Sequence, residues 1–387
     1  MHASSSLTGM STPKDSSIMT VEGSDPALYM RRALELAERG RGWVEPNPLV
    51  GAVVVRDGRI VGEGHHERFG GAHAEPNAIA AAGEACRGAT LYVTLEPCTH
   101  QGKTPPCVPA VVAAGFARVV AAMVDPDPRT QGHGIEQLRA AGVEVEVGLL
   151  EAEAQRLNAP FVKLTTRGLP FVTAKWAMSL DGKTATRIGD SHWISCEPSR
   201  ELVHTLRSQV DAVLVGVGTA LADDPLLTAR PPGPPGPRTT VRIVADELAR
   251  LPLYSQLLET AGEVPLIVAT TEAAPPERRS ALAAKGAEVL VLPMQRGGVS
   301  LRALMAELGL RHMTNVLLEG GGELCAGALE AGVVDRLLVF VAPRLIGGRD
   351  ARTPVEGDGA ATMTQALRVR DWSVRRVGDD ALIEAWL

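Results

Sequence analysis

The chain has 387 residues, enough for two domains that each bury a core, and 45% of its residues are hydrophobic while 22% are charged. This composition is typical of globular proteins and excludes a chain that is mainly disordered. The net charge of −6 and the aromatic content of 3% exclude a basic phosphate-backbone platform, so we expect no nucleic-acid partner.

The remaining bulk features concern the membrane, the N-terminus and the cysteines. No stretch approaches the roughly 20 uninterrupted apolar residues of a membrane span, so we expect no membrane partner. Residues 1–24 are rich in Ser and Thr and lack an apolar segment followed by a cleavage site. They predict a flexible extension of a cytoplasmic protein. Five cysteines, an odd number, favour metal or buried-thiol roles over a disulfide framework.

The first part of the chain, residues 25–166, alternates helical and strand patterns. Apolar residues recur at helical spacing from Pro26 to about Arg39. Asp57-Gly58 then joins two β-prone runs as the turn of a hairpin. The elements predicted next are a helix over 72–86, a strand over 90–95, a helix over 109–114, a strand over 118–124, a helix over 135–141 and a strand over 143–147. This order predicts a three-layer α/β sandwich.

A second α/β unit is predicted over residues 167–387, after a polar connection at 158–170 that is marked by Pro and Gly. Its predicted strands are 171–177, 212–217, 241–245, 266–269, 289–292, 316–318 and 337–341, with helical runs between most of them. Residues 231–237, Pro-Pro-Gly-Pro-Pro-Gly-Pro, predict a surface loop. Residues 371–387 alternate around a Gly-Asp-Asp turn and predict a closing antiparallel hairpin.

Three potential metal ligands stand at the ends of predicted elements in the first unit. His73 begins a helix, Cys98 follows a strand, and Cys107 precedes the next helix. One imidazole and two thiolates suit a catalytic zinc, which takes three protein ligands and leaves a position for water. Glu75, two residues after the histidine, can then move protons between that water and a leaving amine. The pattern predicts a zinc-dependent deaminase.

The sequence alone leaves other interpretations of these residues open. Eight residues separate Cys98 from Cys107, whereas the general deaminase signature separates its cysteines by two. A closed structural zinc site with His100 or Cys86 as the fourth ligand is one alternative, and a disulfide between the first two cysteines is another. Asn47 and His65, beside the hairpin, are either turn residues or substrate contacts.

Several motifs together resemble one family. They are Pro46-Asn-Pro-Leu-Val-Gly51, His73-Ala-Glu75, Pro97-Cys-Thr-His-Gln-Gly-Lys-Thr-Pro-Pro-Cys107, Lys175-Trp-Ala-Met-Ser-Leu-Asp-Gly182, Ser191-His-Trp193, Gly218-Thr-Ala-Leu-Ala-Asp-Asp-Pro-Leu-Leu-Thr228 and Leu318-Glu-Gly-Gly-Gly322. In this order they resemble the bifunctional riboflavin biosynthesis family of pyrimidine deaminase/reductases (RibD), over residues 25–387. The longer cysteine spacing is that family's own.

For the first unit, the resemblance implies a cytidine-deaminase-like fold that removes an amino group from a phosphoribosylamino-substituted pyrimidine. It implies that His73, Cys98 and Cys107 hold Zn²⁺ and that Glu75 is the proton donor and acceptor. Asn47 and His65 would contact the phosphorylated small-molecule substrate.

For the second unit, the resemblance implies a dihydrofolate-reductase-like fold that reduces the ribosyl group to a ribityl chain with hydride from NADPH. The glycine-rich turn after Glu319 lies between a strand and a helix, where bare backbone can approach a pyrophosphate. The implied cofactor contacts are Ala177, Trp193, Thr219, Asp223, Gly321 and Gly322. The implied substrate contacts are Ser191, Arg207, Leu226, Arg230 and Glu319.

Glu247 stands where the family commonly has Ser, so the sequence does not predict a cofactor contact there. The resemblance also implies a homodimer formed through the reductase unit. Two competing hypotheses are a tRNA deaminase with an appended non-catalytic domain and an enzyme in which one unit survives only as a scaffold.

Overall fold

A computed structural model describes residues 25–232 and 239–387, so the predicted N-terminal extension and most of the predicted proline-rich loop lie outside the described residues. In the first unit the elements alternate much as predicted. They are α1 (Pro26–Glu38), β1 (Gly51–Arg56), β2 (Arg59–His65), α2 (Ala74–Ala82), β3 (Thr90–Val93), α3 (Cys107–Ala114), β4 (Arg118–Ala121), α4 (His133–Ala140), β5 (Glu144–Val147), α5 (Glu151–Leu157) and α6 (Ala159–Arg167).

The five strands of this unit form one sheet in the order β2-β1-β3-β4-β5. Strand β1 pairs antiparallel with both β2 and β3, and β3, β4 and β5 run parallel to one another. Asp57 and Gly58 both have positive φ, 50° and 73°, as a tight hairpin turn between right-twisted strands requires. Helices pack on both faces, which gives the predicted three layers.

The predicted polar connection at 158–170 is wrong. That segment holds all of α6, and α5 precedes it. The two helices meet at Asn158, which is 1% exposed and whose side chain bonds the backbone N–H and C=O of Leu49 at 2.8 and 2.9 Å. A buried amide that satisfies another segment's backbone explains the polar residue between the helices, and it also fixes the loop that contains Asn47.

The second unit contains the remaining elements. They are β6 (Phe171–Ser179), α7 (Glu197–Ser208), β7 (Ala212–Gly216), α8 (Val217–Asp223), β8 (Val241–Ala245), α9 (Gln256–Glu259), β9 (Leu266–Thr270), α10 (Pro276–Ala284), β10 (Glu288–Val291), β11 (Met294–Gln295), β12 (Gly298–Val299), α11 (Leu301–Leu310), β13 (Asn315–Glu319), α12 (Gly322–Glu330), β14 (Arg336–Ala342), β15 (Asp371–Val377) and β16 (Asp380–Trp386).

Nine of these strands form one sheet in the order β10-β9-β8-β7-β13-β6-β14-β16-β15. Neighbours from β10 to β14 are parallel, and the C-terminal hairpin extends the sheet antiparallel to β14, as the alternation around Gly378 predicts. The parallel strands read as continuous apolar runs because both faces are buried. Among the described residues, no helix is long and apolar enough to cross a bilayer.

Candidate functional site

The three predicted zinc ligands converge in the first unit. The His73 Nδ1 atom lies 3.6 Å from the Cys98 Sγ atom and 3.3 Å from the Cys107 Sγ atom, and the three donor atoms lie within 4.8 Å of one another. The pKa of Cys98 is lowered to about 4 by a hydrogen bond from Cys107, against the effect of burial, with a further contribution from His73. One imidazole nitrogen and two thiolates, with no fourth side-chain ligand among the described residues, are the donor set of an open zinc site.

Helix starts position two of these ligands. His73 is the residue that precedes α2, and Cys107 is the first residue of α3. Thr104 Oγ1 lies 3.1 Å from Nε2 of His73, and an Nε2–H group that donates a hydrogen bond to this hydroxyl leaves Nδ1 free to bind metal. Helix α3 begins two residues before the predicted start, so Cys107 belongs to the helix.

Glu75 lies in the first turn of α2 and is 3% exposed. Its Oε2 atom is buried and has no hydrogen-bond partner. Burial, assisted by the charge of Cys98, raises the pKa of Glu75 to about 7. A carboxylate with an unused acceptor and a pKa near neutrality can both take up and release a proton.

A cavity of about 300 Å³ opens beside these four residues. Asn47, a predicted substrate contact, lines this cavity, and its Nδ2 donates to His66 Nε2 at 3.1 Å. The His66 Nδ1 atom donates to the carbonyl of Ala72 at 2.9 Å, and the ring is 2% exposed. This pair orients the Asn47 amide at the cavity wall.

Of the two adjacent histidines, His66 lines the cavity and His65, the predicted substrate contact, does not. His65 pairs in register with Gly51, and a side chain at Gly51 would meet α1. Successive residues of a strand face opposite sides of the sheet, so His65 points toward α1 and away from the cavity, whereas the next histidine lines it.

The cavity also has charged walls that the sequence did not single out. The Lys103 Nζ atom lies 3.9 Å from the centre of the Phe69 ring. Arg129 pairs with Asp127, and Asp125 is 6% exposed. Burial raises the pKa of Asp125 to about 7. Lys103 belongs to the motif that contains the two cysteines, but only the folded loop shows that its side chain lines the cavity.

The alternative interpretations of the cysteines find no support in the described residues. His100 bonds Thr130 through Nδ1 at 3.1 Å, and Cys86 is buried with its thiol 3.9 Å from the carbonyl of Ile79. Neither belongs to the metal-ligand group. Cys98 and Cys107 are free thiols.

A buried charge cluster lies in the second unit, where β13 and β6 run side by side. Glu319 binds Arg207 through both oxygens, with Nε at 2.5 Å and Nη2 at 3.0 Å, and lies 3.6 Å from Lys175 Nζ. Although burial opposes it, the charges of Arg207 and Lys175 lower the pKa of Glu319 to about 2. Burial lowers the pKa of Lys175. The sequence predicted the glutamate and the arginine but not the lysine that completes the cluster.

The other predicted substrate residues partly gather around this cluster. Arg207 and Arg230 both reach Thr228, at its carbonyl and its hydroxyl, each at 3.3 Å. Because the Arg207 fork is occupied by Glu319, the exposed Arg230 is the more available cation for a phosphate. Leu226, in the same loop, contacts Arg242 through its carbonyl.

Four further predicted residues lie on β6, α8 and the loop between β6 and α7. Ala177 pairs in register with Phe340 on β14. Ser191 is half-buried, and Trp193 is 59% exposed beneath the Arg200 guanidinium at 4.8 Å. Asp223 is exposed at the end of α8. None of the four lines the 300 Å³ cavity of the first unit or a second cavity, of about 1070 Å³, in the second unit.

The glycine turn after β13 has the geometry of a phosphate cradle. Gly320 and Gly321 have φ of +73° and +81°, and a Cβ atom on Gly321 would lie 3.3 Å from Thr219 Oγ1. A Cβ atom on Gly322 would lie 2.6 Å from Glu356. Bare backbone is therefore required here, at the start of α12. The turn thus brings Thr219, Gly321 and Gly322, three of the predicted cofactor contacts, close together.

A cavity of about 1070 Å³ adjoins this turn. Its walls include the residues next to the turn and to Thr219, together with the end of β8 and the β11–β12 hairpin. They are Gly216, Val217, Gly218, Ala245, Glu247, Arg250, Gln295, Arg296, Gly297, Gly298, Val299, Leu301, Arg302, Glu323, Leu324, Ala326, Gly327, Glu330, Ala331, Gly357 and Asp358. Its size and its place at the carboxyl ends of parallel strands fit a dinucleotide.

Two family models divide the chain. Residues 24–123 match the cytidine and deoxycytidylate deaminase zinc-binding region, and residues 170–383 match the RibD C-terminal domain. A curated riboflavin biosynthesis protein RibD of Actinobacillus pleuropneumoniae is 44% identical over 92% of this chain and 94% of that protein. The Escherichia coli K12 protein of the same name is 41% identical over 92% of this chain and 97% of its own.

Solved structures agree with these matches. Acinetobacter baumannii RibD superposes with a TM-score of 0.81 at 37% identity and covers 93% of this chain and 98% of that one. A diaminohydroxyphosphoribosylaminopyrimidine deaminase/5-amino-6-(5-phosphoribosylamino)uracil reductase from Thermotoga maritima gives 0.78 at 36% identity, with the same coverage. These similarities confirm the predicted fold, a cytidine-deaminase-like unit followed by a reductase unit.

Proposed function

The chain belongs to the RibD family of riboflavin biosynthesis enzymes, and from this premise we propose how its own residues divide the two reactions. It is a bifunctional enzyme, a zinc-dependent pyrimidine deaminase and an NADPH-dependent reductase. The observation that carries the assignment of residues is the convergence of His73, Cys98 and Cys107 beside the unpartnered carboxylate of Glu75. The boundary between the two catalytic units falls at the end of α6, near Arg167.

In the first unit, His73, Cys98 and Cys107 hold the zinc. When bound there, zinc supplies a Lewis acid that lowers the pKa of a coordinated water to about 7. Glu75 Oε2 accepts a proton from the attacking water and delivers it to the ring nitrogen, and it then accepts the proton of the new hydroxyl group and delivers it to the departing amino group. The C–N bond of the pyrimidine breaks, ammonia leaves, and the ring carbon keeps the oxygen as a carbonyl.

The walls of the 300 Å³ cavity suit a phosphorylated aminopyrimidine. Asn47, held by His66, presents an amide to the polar edge of the ring. Lys103 supplies a cation for the substrate phosphate at the exposed side of the cavity. The pyrimidine ring and the phosphate of the substrate are therefore both held while ammonia leaves.

In the second unit, NADPH supplies the hydride that reduces the sugar carbon. The turn at Gly320–Gly322 and Thr219 hold the cofactor pyrophosphate. Lys175 Nζ donates the proton that the ring oxygen requires when its bond to the sugar carbon breaks, and Glu319 fixes that ammonium. Arg230 binds the phosphate of the substrate.

The purified, zinc-loaded protein tests this function directly. With the phosphoribosylaminopyrimidine substrate it should release ammonia, and with the deaminated product it should oxidise NADPH. Absence of both reactions contradicts the proposal. Base conversion in tRNA with salt-sensitive binding would instead support a nucleic-acid deaminase.

We also propose that the enzyme is a homodimer formed through its reductase unit. Strand β15 is an edge of the nine-stranded sheet, and Trp372 and Val374 are 63% and 54% exposed on it. An edge with exposed apolar side chains favours pairing with a second copy. Light scattering coupled to size exclusion should give twice the chain mass, and Trp372→Lys should give the monomer.

A cytoplasmic location is the last part of the proposal. The zinc thiols are free, and a reducing compartment keeps them so. Cell fractionation should recover the enzyme with cytoplasmic markers.

A further inference from the structure

A single buried carboxylate joins two segments of the deaminase unit. Glu96 follows strand β3 and is 2% exposed. Its Oε1 atom accepts hydrogen bonds from the backbone N–H groups of Gly134 and Ile135 at 2.9 and 3.1 Å. Its Oε2 atom accepts from those of Gly132 and Asp125 at 2.9 and 3.1 Å. Each oxygen thus has two donors, so the carboxylate holds the backbone of one loop and leaves no acceptor free for a substrate.

Three of these four donors belong to the start of α4. The helix begins at His133 after Gly132, and no side chain at that position caps it. The first N–H groups of a helix have no partner within the helix, and a negative charge stabilises them. A Cβ atom on Gly134 would lie 2.2 Å from the carbonyl oxygen of Pro97, so the first turn packs directly against the backbone beside Glu96. Glu96 therefore supplies the helix cap from a different segment of the chain.

The loop between β4 and α4 forms one wall of the 300 Å³ cavity. Asp125, Asp127 and Arg129 of this loop line the cavity. Asp125 Oδ1 accepts from the N–H group of Asp127 at 2.9 Å, and Asp127 Oδ1 accepts from that of Arg129 at 3.0 Å. This series of hydrogen bonds begins at Asp125, whose own N–H group donates to Glu96. The wall is thus anchored two residues before the zinc ligand Cys98.

We propose that Glu96 is a positioning residue of the deaminase, which fixes the wall formed by residues 125–129 relative to the zinc ligands and so sets the affinity for the pyrimidine substrate. Glu96 acts through the loop and not on the reacting atoms. A contact that serves the bound substrate and the transition state equally changes KM and leaves kcat unaltered. This inference rests on the deaminase function proposed above.

Two weaker contacts hold the outer part of the same loop. Thr99 Oγ1 donates to the carbonyl of Arg129 at 3.1 Å, and His100 Nδ1 lies 3.1 Å from Thr130 Oγ1. Both involve neutral side chains, whereas the bonds to Glu96 are assisted by its charge. Thr99→Val, which removes one of these outer bonds, should therefore change the KM of deamination less than a substitution of Glu96.

Glu96→Gln tests the role with little change of shape. One carboxylate oxygen becomes an NH₂ group, so two of the four backbone N–H groups face a donor and lose their partner. Because buried donors without a partner are costly, KM for the phosphoribosylaminopyrimidine should rise about tenfold or more. The kcat for ammonia release should stay within about threefold of wild type, and the protein should keep one zinc per chain. Glu96→Asp, which keeps the charge on a shorter side chain, should give an intermediate KM.

Asp25→Ala is the matched control for the loss of a helix cap. Asp25 caps α1 of the same unit by accepting from the N–H group of Ala27 at 3.0 Å, and it does not line the cavity. The control should lower the midpoint of urea unfolding but leave KM at the wild-type value. Hydrogen exchange measured by mass spectrometry should be faster over residues 125–135 in Glu96→Gln than in wild type or in the control.

Several results would overturn the proposal. They are a wild-type KM in Glu96→Gln, a lower kcat at unchanged KM, loss of zinc, unchanged exchange over residues 125–135, or a larger effect of Thr99→Val. If Glu96→Gln does not fold, Glu96→Asp decides by the same criteria. Wild-type protein that releases no ammonia instead contradicts the proposed deaminase function.

Discussion

Glu75 combines burial, an unused hydrogen-bond acceptor and proximity to the metal ligands. A buried carboxylate oxygen without a partner is costly in a structural role, because burial removes its hydration without replacement. The attacking water and the leaving amine supply the missing partner during the reaction. This cost is why we propose a catalytic role for the carboxylate.

Replacing Glu75 with Gln tests that role. The variant keeps the shape of the side chain but cannot carry the proton, so deamination should fall by at least about 10²–10⁴-fold, the contribution of a general acid–base. Ammonia release measures the loss, while NADPH oxidation with the deaminated substrate should stay at the wild-type rate. Zinc content by mass spectrometry is the control, and a metal-free variant or a joint loss of both activities would contradict the assignment.

The buried cluster of Glu319, Arg207 and Lys175 predicts a pH dependence. Since the pKa of Glu319 is lowered to about 2 in the folded protein, compared with about 4.3 for an ordinary Glu, its contribution to the free energy of unfolding is fully present above about pH 4.3. The contribution is lost as the pH falls through about 2. Glu319→Gln, which cannot ionise, should cost about 3 kcal/mol at neutral pH by leaving two buried cations unpaired.

Urea unfolding at a series of pH values measures this effect. Tryptophan fluorescence is a suitable signal because four of the five tryptophans, Trp176, Trp193, Trp372 and Trp386, lie in the reductase unit. The difference between wild type and Glu319→Gln should shrink below pH 4. A difference that is constant from pH 7 to pH 3 would show that the charge on Glu319 is not the source.

Some site residues could be predicted from sequence because their chemistry is local. The zinc ligands and Glu75 stand at the ends of predicted elements, and His and Cys are rare residue types in this chain. Their sequence pattern was therefore sufficient to predict a metal site. The choice between His65 and His66 depended on which face of the sheet each side chain occupies at the end of β2, and the bulge in register near Val54 and Val55 is not visible in the sequence. Lys103 and Lys175 were common residues inside motifs, and only the fold shows what each one contacts.

At the scale of elements, the close contact between β2 and α2 positions the zinc ligand. A Cβ atom on Gly64 would lie 2.4 Å from the backbone nitrogen of Ala78, so the strand and the helix meet backbone to backbone. The Nδ2 atom of Asn77 on the helix also donates to the His65 carbonyl at 2.8 Å. This contact fixes the start of α2, and with it His73 and Glu75.

Gly64→Ala should therefore push α2 away from the hairpin. We expect a loss of about 1–3 kcal/mol in the free energy of unfolding, typical of overpacking, together with weaker zinc retention against a chelator. Gly262→Ala is the control, because no atom lies within 4 Å of its added Cβ. If the two alanine variants retained zinc equally well, the close contact would not be what positions the ligand.

Helices and strands with a strong hydrophobic pattern could be predicted from the sequence. Helices too short to show such a pattern were missed. The hairpins and the parallel strands follow from alternation and apolar runs. The segment around α5 and α6 was interpreted as a connection because Asn158 and Pro160 interrupt two short helices. Its helical state depends on tertiary contacts, such as the one between Asn158 and Leu49, that no local pattern reports.

At the scale of the whole molecule, the two units are joined by few polar contacts. Lys163 of α6 pairs with Asp335 at 2.6 Å, and Arg156 pairs with Asp371 of β15. Each site is built entirely from its own unit, the zinc cluster from residues 73–107 and the charge cluster from residues 175–319. The two reactions should therefore be chemically independent, although they share one chain.

The most direct test of the account is one coupled assay with metal analysis on wild-type protein and Cys98→Ser. Wild type should bind one zinc per chain, release ammonia from the phosphoribosylaminopyrimidine and then oxidise NADPH. Cys98→Ser should lose the zinc and the ammonia release but still oxidise NADPH at the wild-type rate when it is given the deaminated product. A Cys98→Ser protein that still deaminates, or a wild type that performs only one of the two reactions, would contradict the account.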